Sequence, residues 1–171
     1  ILPKEKIKAS ISDRYSYASD ASFYYLVPQA VVQPANLEDI KSLFQFSQTK
    51  GIPMVFRTGG TSLSGQAITD GILVDLSRYW QGAKVLDQGN FVQVQPGIIG
   101  GQVNQLLKTY GRKIGPDPAS INAAMMGGIL SNNSSGMCCG VVQNAYHTIK
   151  SMAFMLPDGS YFNSAEPNDY I

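Results

Sequence analysis

The chain is predicted to be α+β with two subdomains, a small parallel βαβ unit over residues 1–78 and a larger antiparallel part with helices over 79–171. Three observations point there. A strand–helix–strand order occupies residues 30–57, a hairpin pattern starts at Ala83, and 171 residues suffice for one compact body that buries about 70% of its unfolded surface.

The elements follow in order. Residues 30–33, Ala-Val-Val-Gln, read as a short apolar strand stopped by Pro34. Asn36 is then a helix N-cap, with Asp39 at the capping-box position three residues on. Leu37, Ile40, Leu43, Phe44 and Ser47 recur at helical spacing, and Gly51 with Pro53 supplies the stop. Strands are expected over 52–57 and 72–76, giving a parallel right-handed crossover. Residues 83–86 and 91–95 flank Asp-Gln-Gly-Asn and alternate like an antiparallel hairpin. Residues 98–110 carry Ile99, Val103, Leu106 and Leu107 on one helical face, with Gly111 as the cap. A last hairpin is expected from strand 148–156, returning through Pro-Asp-Gly to Tyr161 and Phe162. Residues 166–171 stop without completing an element. Two hairpins alone would leave open sheet edges, so closing strands are expected beyond Ile171.

Bulk properties remove several functions. Net charge is +1 and hydrophobic content 44%, which gives no global field for nucleic acid or an acidic membrane. No apolar run approaches the roughly 20 residues that span a bilayer. Cys138 and Cys139 are adjacent, so they form no disulfide framework and match no Cys-x-x-Cys metal spacing. A reducing cytoplasm fits best, with peripheral attachment to the inner face of the membrane left open.

The most informative stretch is Arg57, Thr58, Gly59, Gly60, Thr61, Ser62, Leu63, Ser64, Gly65 and Gln66, directly after a strand. Glycines allow close backbone approach, and successive amides with hydroxyls can converge on anionic oxygens. Such a loop can cradle a pyrophosphate. The plainer alternative is a glycine-rich surface turn, but a turn needs only one or two special residues, whereas four side-chain hydrogen-bonding groups stand here. No Lys follows the glycines and no Gly-x-Gly-x-x-Gly opens a helix, which disfavours a P-loop or an ordinary Rossmann site.

Residues 115–140 form a second constellation, almost uncharged, with Pro116 and Pro118 stiffening its start and Gly127 and Gly128 permitting a tight backbone. It suits a large planar ligand that is partly apolar and forms hydrogen bonds. A small-residue packing interface is the competing account.

Taken together, Val31-Val32-Gln33-Pro34, residues 57–66, Val94-Gln95-Pro96-Gly97, residues 115–120, residues 127–136 and Leu156-Pro157-Asp158-Gly159 resemble, in order, the flavin domain of the vanillyl-alcohol oxidase and p-cresol methylhydroxylase (PCMH) type. The likeness is strongest to the FAD-linked D-2-hydroxyacid dehydrogenases: D-lactate dehydrogenase, D-2-hydroxyglutarate dehydrogenase and the glycolate oxidase flavin subunit. The resemblance implies a two-subdomain FAD-binding fold, with pyrophosphate on residues 59–65. It implies further contacts from Pro116, Asp117, Ser120, Gly127, Gly128, Asn132, Ser135 and Gly136. Covalent members carry His where Thr61 stands, so non-covalent FAD is implied. Tyr146-His147 replaces a Tyr-Gly pair of many relatives, which puts a backbone contact there in question. Asp20 to Tyr24 and residues 135–140 look like the long bacterial subgroup fused to an iron-sulfur, cysteine-rich segment, so a cluster elsewhere in the full-length protein is implied. The substrate domain, with the base and the carboxylate clamp, is absent from this chain.

The resemblance therefore implies an FAD-dependent oxidoreductase of CH–OH groups, oxidising a small hydroxyacid for an unassigned acceptor, with this portion inactive alone. Other flavoenzymes of the fold, an enolpyruvyl reductase or a molybdenum-hydroxylase flavin subunit, are alternatives, as is a non-catalytic domain that has lost FAD. His147, the only histidine, is read as a flavin-facing or merely hydrogen-bonding group before a strand rather than as a base. Arg57 either neutralises pyrophosphate or pairs with a carboxylate such as Asp75, a structural role at the loop entrance being preferred. Cys138 and Cys139 read as buried packing residues, Met125 and Met126 as core or ring-packing residues. Tyr15, Tyr17, Phe23, Tyr24 and Tyr25 read as a packed aromatic patch.

Overall fold

The computed structural model describes residues 2–166. The expectation that residues 166–171 leave an element unfinished therefore lies, from 167 onward, outside the described residues.

The first half is built on a four-stranded sheet in the order β1-β2-β4-β3. Strands β2 (Ala30–Val32), β3 (Met54–Arg57) and β4 (Ile72–Asp75) are parallel, with Val31 and Val55 both in register with Leu73. All four residues of β4 are buried, as expected for a central parallel strand covered on both faces. Between β2 and β3 runs α2 (Leu37–Lys50), and a shorter helix, α1 (Ile11–Ser16), precedes β2.

The start and stop of α2 follow the sequence signals. Asn36 Oδ1 accepts from the Asp39 amide at 2.8 Å, and Gly51 ends the helix in the left-handed region at φ 63°. The reciprocal bond differs from the expected box: the Asp39 carboxylate accepts from the Ala35 amide at 2.8 Å and from Lys6 Nζ at 2.6 Å. Ile40 and Leu43 face Val32, Ile72, Val74 and Leu76 in the first core. Lys6 lies just before β1 (Ile7–Lys8), which pairs antiparallel with β2. Neither β1 nor α1 was anticipated; two residues carry no readable alternation, although Ser10 caps α1 by accepting from the Asp13 amide.

The second half contains the expected hairpin, β5 (Ala83–Leu86) with β6 (Phe91–Val94), and a helix α3 (Gly100–Lys108), shorter than 98–110. A second core gathers Ile98, Val103, Leu107, Ile114, Ala124, Met126 and Ile129. Two short helices were not anticipated, α4 (Met126–Ser131) and α5 (Ala145–Thr148). The strand expected from residue 148 is corrected: Thr148 closes α5, its Oγ1 donating back to the Asn144 and Ala145 carbonyls, and β7 begins only at Ala153. β7 (Ala153–Met155) then pairs with β8 (Tyr161–Asn163) through the predicted Pro-Asp-Gly turn. This hairpin returns to α2, where Gln48 Nε2 donates to the Pro157 carbonyl at 2.9 Å and Met155 joins the first core. The protein is thus a mixed α+β fold with a small parallel sheet followed by antiparallel pairs and helices.

Candidate functional site

β3 ends at Arg57, and the glycine-rich loop leaves it to face the segment around α4. Between them lies a cleft of about 460 Å³. From the loop, Arg57, Thr58, Gly60, Thr61, Ser62, Leu63 and Gln66 line it. From the second constellation, Ser120, Gly127, Gly128 and Asn132 line it. The two segments also touch directly. A Cβ on Gly59 would stand 2.7 Å from the Ala123 carbonyl oxygen, and one on Gly127 would meet Pro96 at 2.8 Å and Thr58 at 3.2 Å. Glycine at both places lets the two backbones close on each other.

The lining mixes polar and apolar groups: Thr58, Thr61, Ser62 and Gln66 come from the loop and Ser120, Asn132 and Ser134 from the facing segment, with Leu63 and Met125 among the apolar members. Ser62 Oγ is the one buried side-chain polar atom among the described residues with no hydrogen-bond partner. An unmet buried hydroxyl costs roughly 1–3 kcal/mol, so its position on a cleft wall marks a place for a polar ligand atom.

Residues 28–164 match the family model described as FAD binding domain. This chain belongs to that family. The FAD-binding domain is 35% identical over 134 residues to D-2-hydroxyglutarate dehydrogenase of Haemophilus influenzae, covering 76% of this chain and 13% of that protein. It is 31% identical over 136 residues to the glycolate oxidase subunit GlcD of Bacillus subtilis, covering 78% of this chain and 29% of that protein. The chain thus spans a small part of the curated relatives it matches. The fold superposes on 6-hydroxy-D-nicotine oxidase of Arthrobacter nicotinovorans with a TM-score of 0.82 at 17% identity, over 95% of this chain and 36% of that one.

The residues present in the FAD-binding domain fit a dinucleotide. A partnerless hydroxyl among hydroxyls and glycines suits phosphate oxygens, and the apolar lining at Met125 suits a flat ring system. Sequence reasoning did not mark Phe56, Ala67 and Leu76 as lining residues and saw Pro96 only within a motif, whereas Met125, read as a core or ring-packing residue, does line the cleft.

Several anticipated residues stand off the cleft lining. Ser64 and Gly65 are on the outer side of the loop, Gly65 against the Tyr24 ring. Pro116 is buried, and Asp117, Ser135 and Gly136 form a tie behind the cleft: the Asp117 amide donates to the Ser135 carbonyl at 3.0 Å, and Gly136 lies directly on the Asp117 backbone. His147 is in α5 rather than before a strand. It is exposed, its Nδ1 lies 2.7 Å from the Val141 carbonyl, and it does not line the cleft.

Arg57 makes no hydrogen bond to Asp75. Its Nη1 donates to the carbonyls of Ser19 at 2.8 Å, Tyr17 at 3.3 Å and Ala67 at 3.4 Å. Asp75 instead accepts from Tyr17, Gln33 and the Ser77 amide. Two further readings are corrected. Cys139 is buried but Cys138 is exposed. Tyr15, Phe23, Tyr24 and Tyr25 are 50% or more exposed, because the short N-terminal segment covers the loop with no layer of described residues above it. No helix among the described residues is long and apolar enough to cross a membrane.

Proposed function

We propose that this chain is the FAD-binding portion of a dehydrogenase that oxidises a D-2-hydroxyacid such as D-2-hydroxyglutarate, D-lactate or glycolate. The observation that carries the reading is the cleft between the glycine-rich loop and α4, with the partnerless Ser62 hydroxyl in its wall. The similarity to a D-2-hydroxyglutarate dehydrogenase and to a glycolate oxidase subunit supports the substrate class.

In this reading the backbone of residues 60–63 and the hydroxyls of Thr61 and Ser62 hold the pyrophosphate. Gly127, Gly128 and Asn132 border the rest of the cofactor, and Met125 keeps water from its apolar face. Thr61 offers no imidazole for a covalent link, so FAD is held non-covalently. When bound, the flavin accepts the hydride from the substrate α-carbon. No residue of this chain is assigned as the base or as the carboxylate clamp. His147 is directed at a backbone carbonyl away from the cleft, which argues against it. The same logic makes this chain alone inactive.

The test is anaerobic mixing of the FAD-loaded, full-length protein with each of the three hydroxyacids. Bleaching of the flavin absorbance by D-2-hydroxyglutarate, D-lactate or glycolate is expected, and not by the L-forms of the two chiral acids. Stoichiometric FAD that none of them reduces would overturn the substrate class, and a purified protein that takes up no FAD would overturn the cofactor reading. Dye reduction by the chain alone would show that the catalytic groups lie inside it.

A further inference from the structure

The glycine-rich loop does not hold its shape by itself. A segment from the N-terminal arm, residues 17–24, runs alongside it and is tied to it at three places. The Ala21 amide donates to the Gly60 carbonyl at 3.0 Å, the Ala67 amide donates to Asp20 Oδ2 at 3.4 Å, and the Tyr24 ring lies against Gly65. These are the near end, the far end and the outer bend of the loop. Arg57 ties the same parts from beneath: Nη1 reaches Tyr17 and Ser19 of the arm and Ala67 of the loop, and Gly60 lies directly on the guanidinium. The cation also lies 5.5 Å from the Tyr17 ring centroid.

Asp20 is placed to hold this arrangement. Its Oδ1 accepts from the Ser22 amide at 2.8 Å while Oδ2 takes the Ala67 amide. Burial pushes its pKa up, but the hydrogen bonds from Ser22 and Ala67 and the Arg57 charge together hold it below the ordinary Asp value. The carboxylate is thus ionised at neutral pH, beside a loop read as an anion site.

We infer that residues 17–24 act as a strap that sets the shape of the phosphate loop, with Asp20 and Arg57 as positioning residues for a cofactor that Asp20 does not touch. This rests on the FAD reading of the cleft. Electrostatics and positioning give opposite signs at Asp20. As a mere negative charge it would repel pyrophosphate, so neutralising it would tighten FAD binding. As a strap anchor it preorganises the loop amides, so neutralising it weakens binding.

The experiment compares the wild-type protein with Asp20→Asn and Tyr24→Ala, measuring FAD affinity by flavin fluorescence and backbone amide exchange in the absence of FAD. Asp20→Asn is expected to weaken FAD by about tenfold, the scale of one lost charged hydrogen bond, Tyr24→Ala to weaken it through the lost ring contact, and both to speed exchange at the amides of residues 59–67. The amides of Leu73 and Val74 in β4 should keep their protection. Unchanged or tighter FAD binding in Asp20→Asn overturns the strap, as does loop exchange equal to wild type. Protection lost in β4 as well would make the segment part of the fold and also overturn it. Failure of the wild type to take up FAD would count against the cofactor reading alone, since the exchange comparison still decides whether the strap orders the loop.

Discussion

Tyr17 Oη donates a 2.9 Å hydrogen bond to Oδ2 of Asp75, joining the N-terminal arm to the last residue of the central strand. Asp75 is 1% exposed and also accepts from Gln33 Nε2 at 2.7 Å and from the Ser77 amide at 2.9 Å. A buried carboxylate needs such donors, because leaving a buried polar group unmet costs roughly 1–3 kcal/mol or more when it is charged. Tyr17→Phe should therefore destabilise the fold by about 1–3 kcal/mol, measured by urea unfolding at neutral pH.

The same bond gives a pH dependence with a definite sign. Burial, and then the charge and hydrogen bond of Asp75, push the Tyr17 hydroxyl up from 10.0 to about 12, with Arg57 pulling the other way. A folded-state pKa above the unfolded one means that the contribution is complete below about pH 10 and is lost as pH rises toward 12. Wild type should lose stability across that window more steeply than Tyr17→Phe. Parallel unfolding curves for the two proteins between those limits would refute the coupling.

At Gly60 the conformation and the neighbour act together. Its φ of 63° is left-handed, and a Cβ would run into the Arg57 guanidinium rather than into the cleft. Gly60→Val should cost about 1–3 kcal/mol in backbone strain and displace Arg57 from its carbonyls. The expected result is a variant that loses FAD on gel filtration under conditions where wild type retains it.

Ser62→Ala should separate stability from binding. Removing a buried hydroxyl that has no partner should leave the FAD-free protein as stable as wild type or more so, by up to about 1–3 kcal/mol. FAD affinity should fall, because the hydroxyl is then missing from the phosphate wall. The thermal midpoint without FAD should hold or rise while FAD titration shows weaker binding.

Ile129 is 1% exposed, belongs to the second core and borders the cleft. Ile129→Ala should lower stability by about 2–5 kcal/mol through the cavity it leaves, read from the urea midpoint.

The parallel crossover was legible in the sequence because its signals are local and strong. Asn36 and Gly51 bracket a periodic helix, and residues 72–74 form an apolar run suited to a central strand. The loop and the α4 segment were legible as chemistry, through glycines and hydroxyls without charge. What escaped were features set by tertiary contact. α4 and α5 are six and four residues long, too short for periodicity to show. The partner of Arg57 could not be read, since a guanidinium near Asp75 in sheet register suggests an ion pair, whereas three backbone carbonyls receive it instead. The arm over the loop was misjudged because aromatic composition signals burial, and only the packing tells that Phe23 is 86% exposed.

The return of the β7–β8 hairpin to α2 bears on how the polypeptide acquires its shape. Gln48 and Pro157 meet across 109 positions, and Met155 completes a hydrophobic layer begun by Val32 and Ile40. During synthesis the first sheet lacks this covering contact until residue 155 emerges, and contacts so distant in sequence form slowly. Nascent chains stalled before that hairpin should thus be the ones that chaperones and proteases catch.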